Sequence, residues 1–217
     1  MVVEVLIRKK KNYYLFFKRV LDLFFSIILF IILFPILLII ALLIKIESSG
    51  PVIFKQVRTG KNGKNFYIYK FRSMYNDNDV YNLDEENKIT KVGSFIRKTS
   101  LDELPQLINI IKGDMSFVGP RPWIVDYYNN FTNDQKKRVE ATPGITGLAQ
   151  VSGRNEVSIL KKIDYDLYYV NNCSFFLDIK IVFLTIKILI FKRENEMSKK
   201  SIMEEIEELK ENKKKSR

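Results

Sequence analysis

Histidine is missing from this 217-residue chain, cysteine occurs once, and proline and glycine are sparse at six and nine copies. Without histidine, the commonest general base and the commonest metal ligand are gone. A single cysteine, Cys173, excludes an internal disulfide and a cysteine-built zinc site. A nucleophile or base must therefore come from Asp, Glu, Lys, Tyr, Ser, Thr or Cys173. A catalytic metal would be held by oxygen ligands, which points to magnesium or manganese. There is no Gly-x-Gly-x-x-Gly fingerprint, no P-loop signature and no internal repeat. What the chain does have is positive charge, +11 net. Such a balance favours nucleic acid, an anionic membrane surface or phosphorylated substrates, and charge alone does not choose among them.

Residues Leu23 to Ile44 are apolar apart from Ser26 and Pro35, about the length of a membrane-crossing helix. The run is too long for a signal peptide, and no small-residue cleavage site follows it. Arg8, Lys9, Lys10, Lys11, Lys18 and Arg19 precede it, and Lys45, Lys55, Arg58, Lys61 and Lys64 follow. Positive charge marks the cytoplasmic side, so a single pass would put one basic flank outside. Pro35 removes a helical hydrogen bond to Ile31 and favours a bend. Two readings stand at this point: a re-entrant helix that turns at Pro35 and leaves on the side it entered, or an ordinary span with a kink. Asp22, Lys18 and Arg19 read as interfacial. A second apolar stretch, Phe175 to Phe191, is interrupted by Asp178, Lys180 and Lys187 and is too short to span. It is either an interfacial helix or a buried helix of the soluble part.

The remainder reads as mixed α and β, an α+β domain of short elements. Val52-Ile53-Phe54 and Phe66-Tyr67-Ile68-Tyr69 predict a hairpin turning near Gly60 to Gly63. Asn76 to Asn87 reads as a polar loop. One helix is expected from about Leu101 to Ile111, ended by Lys112-Gly113. Short helices are expected at Trp123 to Tyr128 and Asp134 to Val139, a turn at Pro143 to Gly147, and a helix at Leu160 to Val170. Residues 194–217 carry Ile202, Ile206 and Leu209 as a thin stripe among charges. They read as a solvated helix with a basic tail, or else as a membrane-surface or partner contact.

The stretch richest in chemistry is Arg97-Lys-Thr-Ser-Leu-Asp-Glu-Leu-Pro-Gln106. Ser100 and Glu103 have the spacing of a capping box, which would make the acids mere helix decoration. Against that, Pro105 would fall where its missing N–H costs a helical bond. In either case Asp102 lies at a helix N-terminus, where the exposed N–H groups favour an ionised carboxylate and bind phosphate. Adjacent carboxylates point about 100° apart on an α-helix, suiting one for attack and the other for a metal. Arg97 and Lys98 add phosphate-binding charge. Gly119-Pro-Arg-Pro122 presents Arg121 on a stiff turn. Gly144, Gly147 and Gly153 permit close backbone approach to a ligand, with Arg154 beside them.

These residues carry a resemblance. The chain resembles the bacterial sugar transferases, the monotopic polyprenyl-phosphate phosphoglycosyl transferases, in their minimal form. The matching pieces are Lys18-Arg-Val-Leu-Asp22, Gly50-Pro-Val-Ile-Phe54, Lys70-Phe-Arg-Ser-Met74, Ser100-Leu-Asp-Glu-Leu104 with Pro105-Gln-Leu107, Lys112-Gly-Asp-Met-Ser116, Gly119-Pro-Arg-Pro122, Pro143-Gly-Ile-Thr-Gly147 and Gly153-Arg-Asn155. They run in the family order from about residue 16 to residue 192.

The resemblance implies a ping-pong transfer of a sugar 1-phosphate from a UDP-sugar to polyprenyl (undecaprenyl) phosphate. Asp102 would be the nucleophile and Glu103 a ligand of magnesium. It implies phosphate binding by Arg97, and Lys70, Arg72, Arg121 and Arg154 are further candidates for phosphate or substrate binding. It further implies a basic N-terminus and re-entrant helix over 1–46 and a catalytic domain with interfacial helices over 47–193 on the cytoplasmic face of the bacterial inner membrane; the charged tail over 194–217 lies outside the resemblance. The family bends its first helix at a Ser-Pro pair, whereas this chain has Phe34-Pro35, so the kink must form without a serine hydroxyl. The competing readings are a membrane-tethered scaffold and a nucleic-acid binder. The latter lacks any reader motif, and a membrane surface explains the basic residues better. No nucleic acid is expected as a partner. The sequence names neither the sugar, the glycan nor the oligomeric state.

Overall fold

The computed structural model describes residues 2–75, 89–153, 157–191 and 201–215, the first ten of these as backbone only. The polar stretch Asn76 to Asn87 and Arg154 lie outside the described residues.

The chain opens with α1, Val2–Glu47, a continuous helix that runs through Pro35. Among the described residues it is the one helix long and apolar enough to cross a membrane, by length and composition. Its inner stripe follows helical spacing from end to end. Tyr14, Asp22, Ser26, Leu37, Ile40 and Ile44 are buried, with Leu29, Phe30 and Leu33 half-buried between them. The same stripe docks on the rest of the protein at every stage. Lys18 reaches Asp178 at 2.6 Å. Arg19 donates to the carbonyls of Ile110 and Ile111. Asp22 accepts from the Phe117 N–H at 3.1 Å. Beyond Pro35, Leu37, Ile40 and Ile44 pack with Phe71 and Ile96. Lys18, Arg19 and Asp22 clamp α1 to its domain. The opposite stripe stays exposed and apolar, as at Phe16, Phe24, Ile31, Ile39 and Ile46.

The hairpin is present, with longer strands than expected. Strands β1, Ile53–Thr59, and β2, Asn65–Phe71, pair antiparallel from Ile53↔Phe71 to Thr59↔Asn65. α2, Lys91–Lys98, follows, its N-terminus capped by the Thr90 hydroxyl and by the Glu47 carboxylate, which accepts from the N–H groups of Lys91 and Val92. The expected single helix over 101–111 is in fact two elements. A 3₁₀ segment, Leu101–Gln106, runs into α3, Leu107–Lys112, which ends on Gly113 at φ 91°. Pro105 has no N–H to donate, and the tighter winding accommodates it.

One element that sequence patterning missed is a parallel pair. β3, Ser116–Val118, lies beside β4, Gly144–Thr146. Sequence patterning gives only a turn for the second of these, because three residues are too few to show a period. Gly119, Gly144 and Gly147 crowd together: a Cβ on Gly144 would sit 2.1 Å from the Gly119 nitrogen, and one on Gly147 2.2 Å from the Gly119 carbonyl oxygen. Close approach is needed here, but of backbone to backbone rather than of backbone to a ligand.

The helices that follow are α4 (Val125–Asn130), α5 (Asn133–Lys136), α6 (Leu148–Val151), α7 (Ile159–Asn172) and α8 (Phe175–Ile190). α8 buries only Asp178 and Ile181, while Phe176, Ile179, Phe183, Ile186 and Ile190 form an exposed apolar stripe. A buried core helix is therefore excluded. The last element, α9, Ile202–Lys215, is not a solvated tail. Ile206 and Leu209 are buried in one cluster with Ile124, Tyr127 and Phe131, so the stripe packs on the chain's own core. The molecule is α+β, with a long apolar N-terminal helix.

Candidate active site

The 3₁₀ segment sets Asp102 and Glu103 side by side above β2. Ser100 enters it in the left-handed region at φ 59° and makes no side-chain cap. The Glu103 carboxylate does not reach back to cap the helix either. Its Oε1 accepts from Lys70 Nζ at 2.7 Å and from Arg121 Nη2 at 3.1 Å. The capping-box reading is thus overturned: both acids turn toward cations. Lys70 also approaches Asp102 Oδ2, at 3.8 Å. On a 3₁₀ turn neighbouring side chains stand about 120° apart, and the long Lys70 stem bridges that gap from the strand.

The two carboxyls are pushed in opposite directions. Burial raises Glu103, but the charges and hydrogen bonds of Lys70 and Arg121 outweigh it and hold the group at about 2. Asp102 is raised above its ordinary value, first by burial and then by the neighbouring Glu103 charge, against the opposing pull of Lys70, Arg97 and Arg121. Adjacent titratable groups separated in this way are suited to different roles. Glu103 stays a firm anion. Asp102 becomes a more basic carboxylate, with one ion-pair partner and no hydrogen bond among the described residues.

These groups line a cleft of about 1290 Å³. One wall is cationic, with Lys70, Arg97, Lys98 and Arg121. Another is apolar and comes from the two helices with exposed apolar stripes: Leu29 and Leu33 of α1, Ile188 and Leu189 of α8. Arg72 is not brought to the cleft. Its guanidinium is buried, donating to the Ser48 and Ser49 carbonyls and to the Ser48 hydroxyl, and it ties the end of α1 to β2.

Residues not singled out from the sequence complete the floor. Arg138 binds Asp166 through two bonds of 3.0 and 2.5 Å, both side chains fully buried. It stacks 4.3 Å over Trp123 and donates to the Arg121 carbonyl. The backbone of Arg121, whose side chain reaches Glu103, is thus tied to a buried ion pair.

With this geometry in hand, comparison with known proteins is direct. The family model described as bacterial sugar transferase matches residues 13–192. The chain belongs to that family. It is 47% identical over 172 residues to the uncharacterised sugar transferase EpsL of Bacillus subtilis, a match covering 78% of this chain and 85% of that protein. It is 46% identical over 182 residues to a UDP-glucose:undecaprenyl-phosphate glucose-1-phosphate transferase of Klebsiella pneumoniae, covering 78% of this chain and 39% of that one. It is 41% identical over 189 residues to a UDP-N-acetylgalactosamine-undecaprenyl-phosphate N-acetylgalactosaminephosphotransferase of Aeromonas hydrophila, covering 82% and 44%. The chain thus spans less than half of the last two relatives. The last helix, α9, falls beyond the family match.

Proposed function

We propose that this sugar transferase moves a sugar 1-phosphate from a UDP-sugar to polyprenyl phosphate through a covalent intermediate on Asp102. One observation carries the reading: a single cleft joins a carboxylate pair among cations to an apolar wall made by α1 and α8. The first part suits a diphosphate, and the second suits a lipid chain.

In the first half-reaction an Asp102 oxygen attacks the phosphorus next to the sugar. The bond from that phosphorus to the bridging oxygen breaks, and UMP leaves with the electron pair. The sugar phosphate stays on Asp102 as a mixed anhydride. In the second half-reaction a lipid phosphate oxygen attacks the same phosphorus, the Asp102 oxygen leaves, and the carboxylate is regenerated. Every nucleophile and leaving group is an oxyanion at neutral pH, so no proton need move. That accounts for a working site in a chain with no histidine. Burial and weak pairing raise the basicity of Asp102, which favours attack. Lys70, Arg97 and Arg121 offset charge on the phosphates.

The donor set fits Mg2+. The contacts of Glu103 fall on Oε1, which leaves Oε2 as a hard oxygen ligand. Among the described residues no group of three or more acids forms a protein cage, and magnesium is commonly held by one or two carboxylates plus substrate phosphates. When bound, the ion would neutralise diphosphate charge.

The packing of α1 supports membrane attachment from one side. Its N-terminal part, through Lys18 and Arg19, and its C-terminal part, through Ile44 and Glu47, bind the same domain. Ends joined to one domain lie on one face of the bilayer, the re-entrant arrangement, with the exposed stripes of α1 and α8 entering lipid from the cytoplasmic leaflet. Lys10→Cys and Lys61→Cys, made in a Cys173→Ser background, should both label only from the cytoplasmic side. Labelling of position 10 from outside would refute this topology. For the reaction, membranes containing the chain should release UMP from a UDP-sugar in amounts that grow with added undecaprenyl phosphate. No UMP from any member of a broad UDP-sugar panel would refute the assignment.

A further inference from the structure

Away from Asp102 and Glu103 the cleft changes character. Its cations there are engaged by the protein: Lys162 faces Glu205 at 3.4 Å, and Arg58 donates to the Pro122 carbonyl and to Gln56 Oε1. Trp123 and Tyr127 supply aromatic faces to the same end. With a carboxylate set among its cations, this wall attracts phosphate less than the wall of Lys70, Arg97 and Arg121. It suits an uncharged ring bearing hydroxyl groups, which can lie against an aromatic face and donate to a fixed carboxylate.

Glu205 comes from α9. That helix is docked firmly: Leu209 is fully buried, Gln135 donates to Asn212, and Lys213 donates to the Asn129 carbonyl. Within the cleft, Glu205 Oε2 accepts from the Tyr127 hydroxyl at 2.5 Å, and Oε1 faces Lys162. Each oxygen has one partner, so each keeps capacity to accept from a ligand. Ile202, one turn before it, lines the same wall. Yet α9 lies beyond residue 192, where the family match ends.

We propose that α9 completes the donor cleft, and that Glu205, held by Lys162 and Tyr127, accepts hydrogen bonds from hydroxyls on a neutral ring of the nucleotide-sugar. This rests on the reaction assigned above. It makes Glu205 a donor-specificity residue carried on a segment outside the shared family core.

The test uses the full chain in membranes with UMP release as the readout. Glu205→Gln and Lys162→Gln, on different helices, should each raise KM for the preferred UDP-sugar about tenfold while leaving kcat within about twofold, the size expected for one lost charge-assisted hydrogen bond. Inhibition by added UMP separates the two rings. If the nucleoside is read, UMP inhibition weakens in step with KM. If the sugar is read, UMP inhibition holds and the ranking of UDP-sugars changes. Lys213→Ala, which loosens α9 outside the cleft, should lower the melting temperature without changing KM. The proposal is overturned if both cleft variants keep wild-type KM, UMP inhibition and donor ranking. It is equally overturned if they lose kcat only in parallel with melting temperature, as a purely structural contact would. Absence of UMP release by the wild-type chain would instead strike the reaction assignment itself.

Discussion

Two carboxylates in this molecule each face a lysine, and they are set up in opposite ways. Asp178, where α8 meets α1, is saturated: Tyr14 and Tyr169 donate hydroxyls at 2.7 Å and Lys18 donates at 2.6 Å. Asp102, in the cleft, has Lys70 at 3.8 Å and accepts no hydrogen bond among the described residues. A saturated carboxylate holds elements together. A mostly buried carboxylate left nearly bare is costly to the fold, a cost that fits the nucleophile role proposed for Asp102.

The contrast can be broken in order of expected effect. Asp102→Asn should cut UMP release by about 10⁶-fold, the scale seen when a covalent nucleophile is removed. Its stability at neutral pH should not fall. A carboxyl with a raised folded value contributes stability that is present below its unfolded value and lost as pH rises through the folded one, so at neutral pH the Asp102 charge opposes folding. Asp166→Ala should do the reverse. It leaves Arg138 buried without its partner and should lower unfolding free energy by about 3–5 kcal/mol in a denaturant titration. Asp178→Asn should cost about 1–3 kcal/mol by the same measurement, since two hydroxyls and a lysine lose a charged acceptor.

A fourth outcome concerns pH. Attack needs the Asp102 carboxylate, so UMP release should fall on acidification through a value above 3.8, its ordinary one. Lys70 pulls that value down, so Lys70→Met should move the acid limb to higher pH. Glu103, held at about 2, keeps its charge across that range and loses its contribution to stability only as pH falls from 4.5 through 2. The smallest effect belongs to Glu47→Ala, which removes an acceptor from the first two N–H groups of α2. It should cost about 1 kcal/mol and leave activity intact.

The sequence disclosed this site unevenly, for physical reasons. The hairpin was legible because its strands carry apolar runs around a glycine turn, and the long helix because its composition allows little else. Asp102 and Glu103 were legible as a motif but ambiguous as chemistry, since Ser100 and Glu103 fit a capping box equally well. The positions of Lys70, on a strand more than thirty residues earlier, and of Arg121 decide where the Glu103 oxygens go. Arg72 illustrates the converse. It sits two residues after Lys70, yet its guanidinium turns to the end of α1. The β3–β4 pair and the Arg138–Asp166 floor depend on contacts between distant segments and leave no local pattern. The docking of α9 was hidden for another reason: three apolar residues among many charges look solvated until the cluster that receives them is known.

The central claim is a sugar phosphate carried on Asp102, and a mass measurement tests it most directly. The chain is incubated with its UDP-sugar in the absence of polyprenyl phosphate, quenched in acid and digested. The account predicts one equivalent of UMP and a sugar-phosphate mass increment on the peptide containing Asp102, lost on adding polyprenyl phosphate and absent in Asp102→Asn. Full turnover by Asp102→Asn, or UMP released only when the lipid acceptor is present and without any adduct, would contradict it.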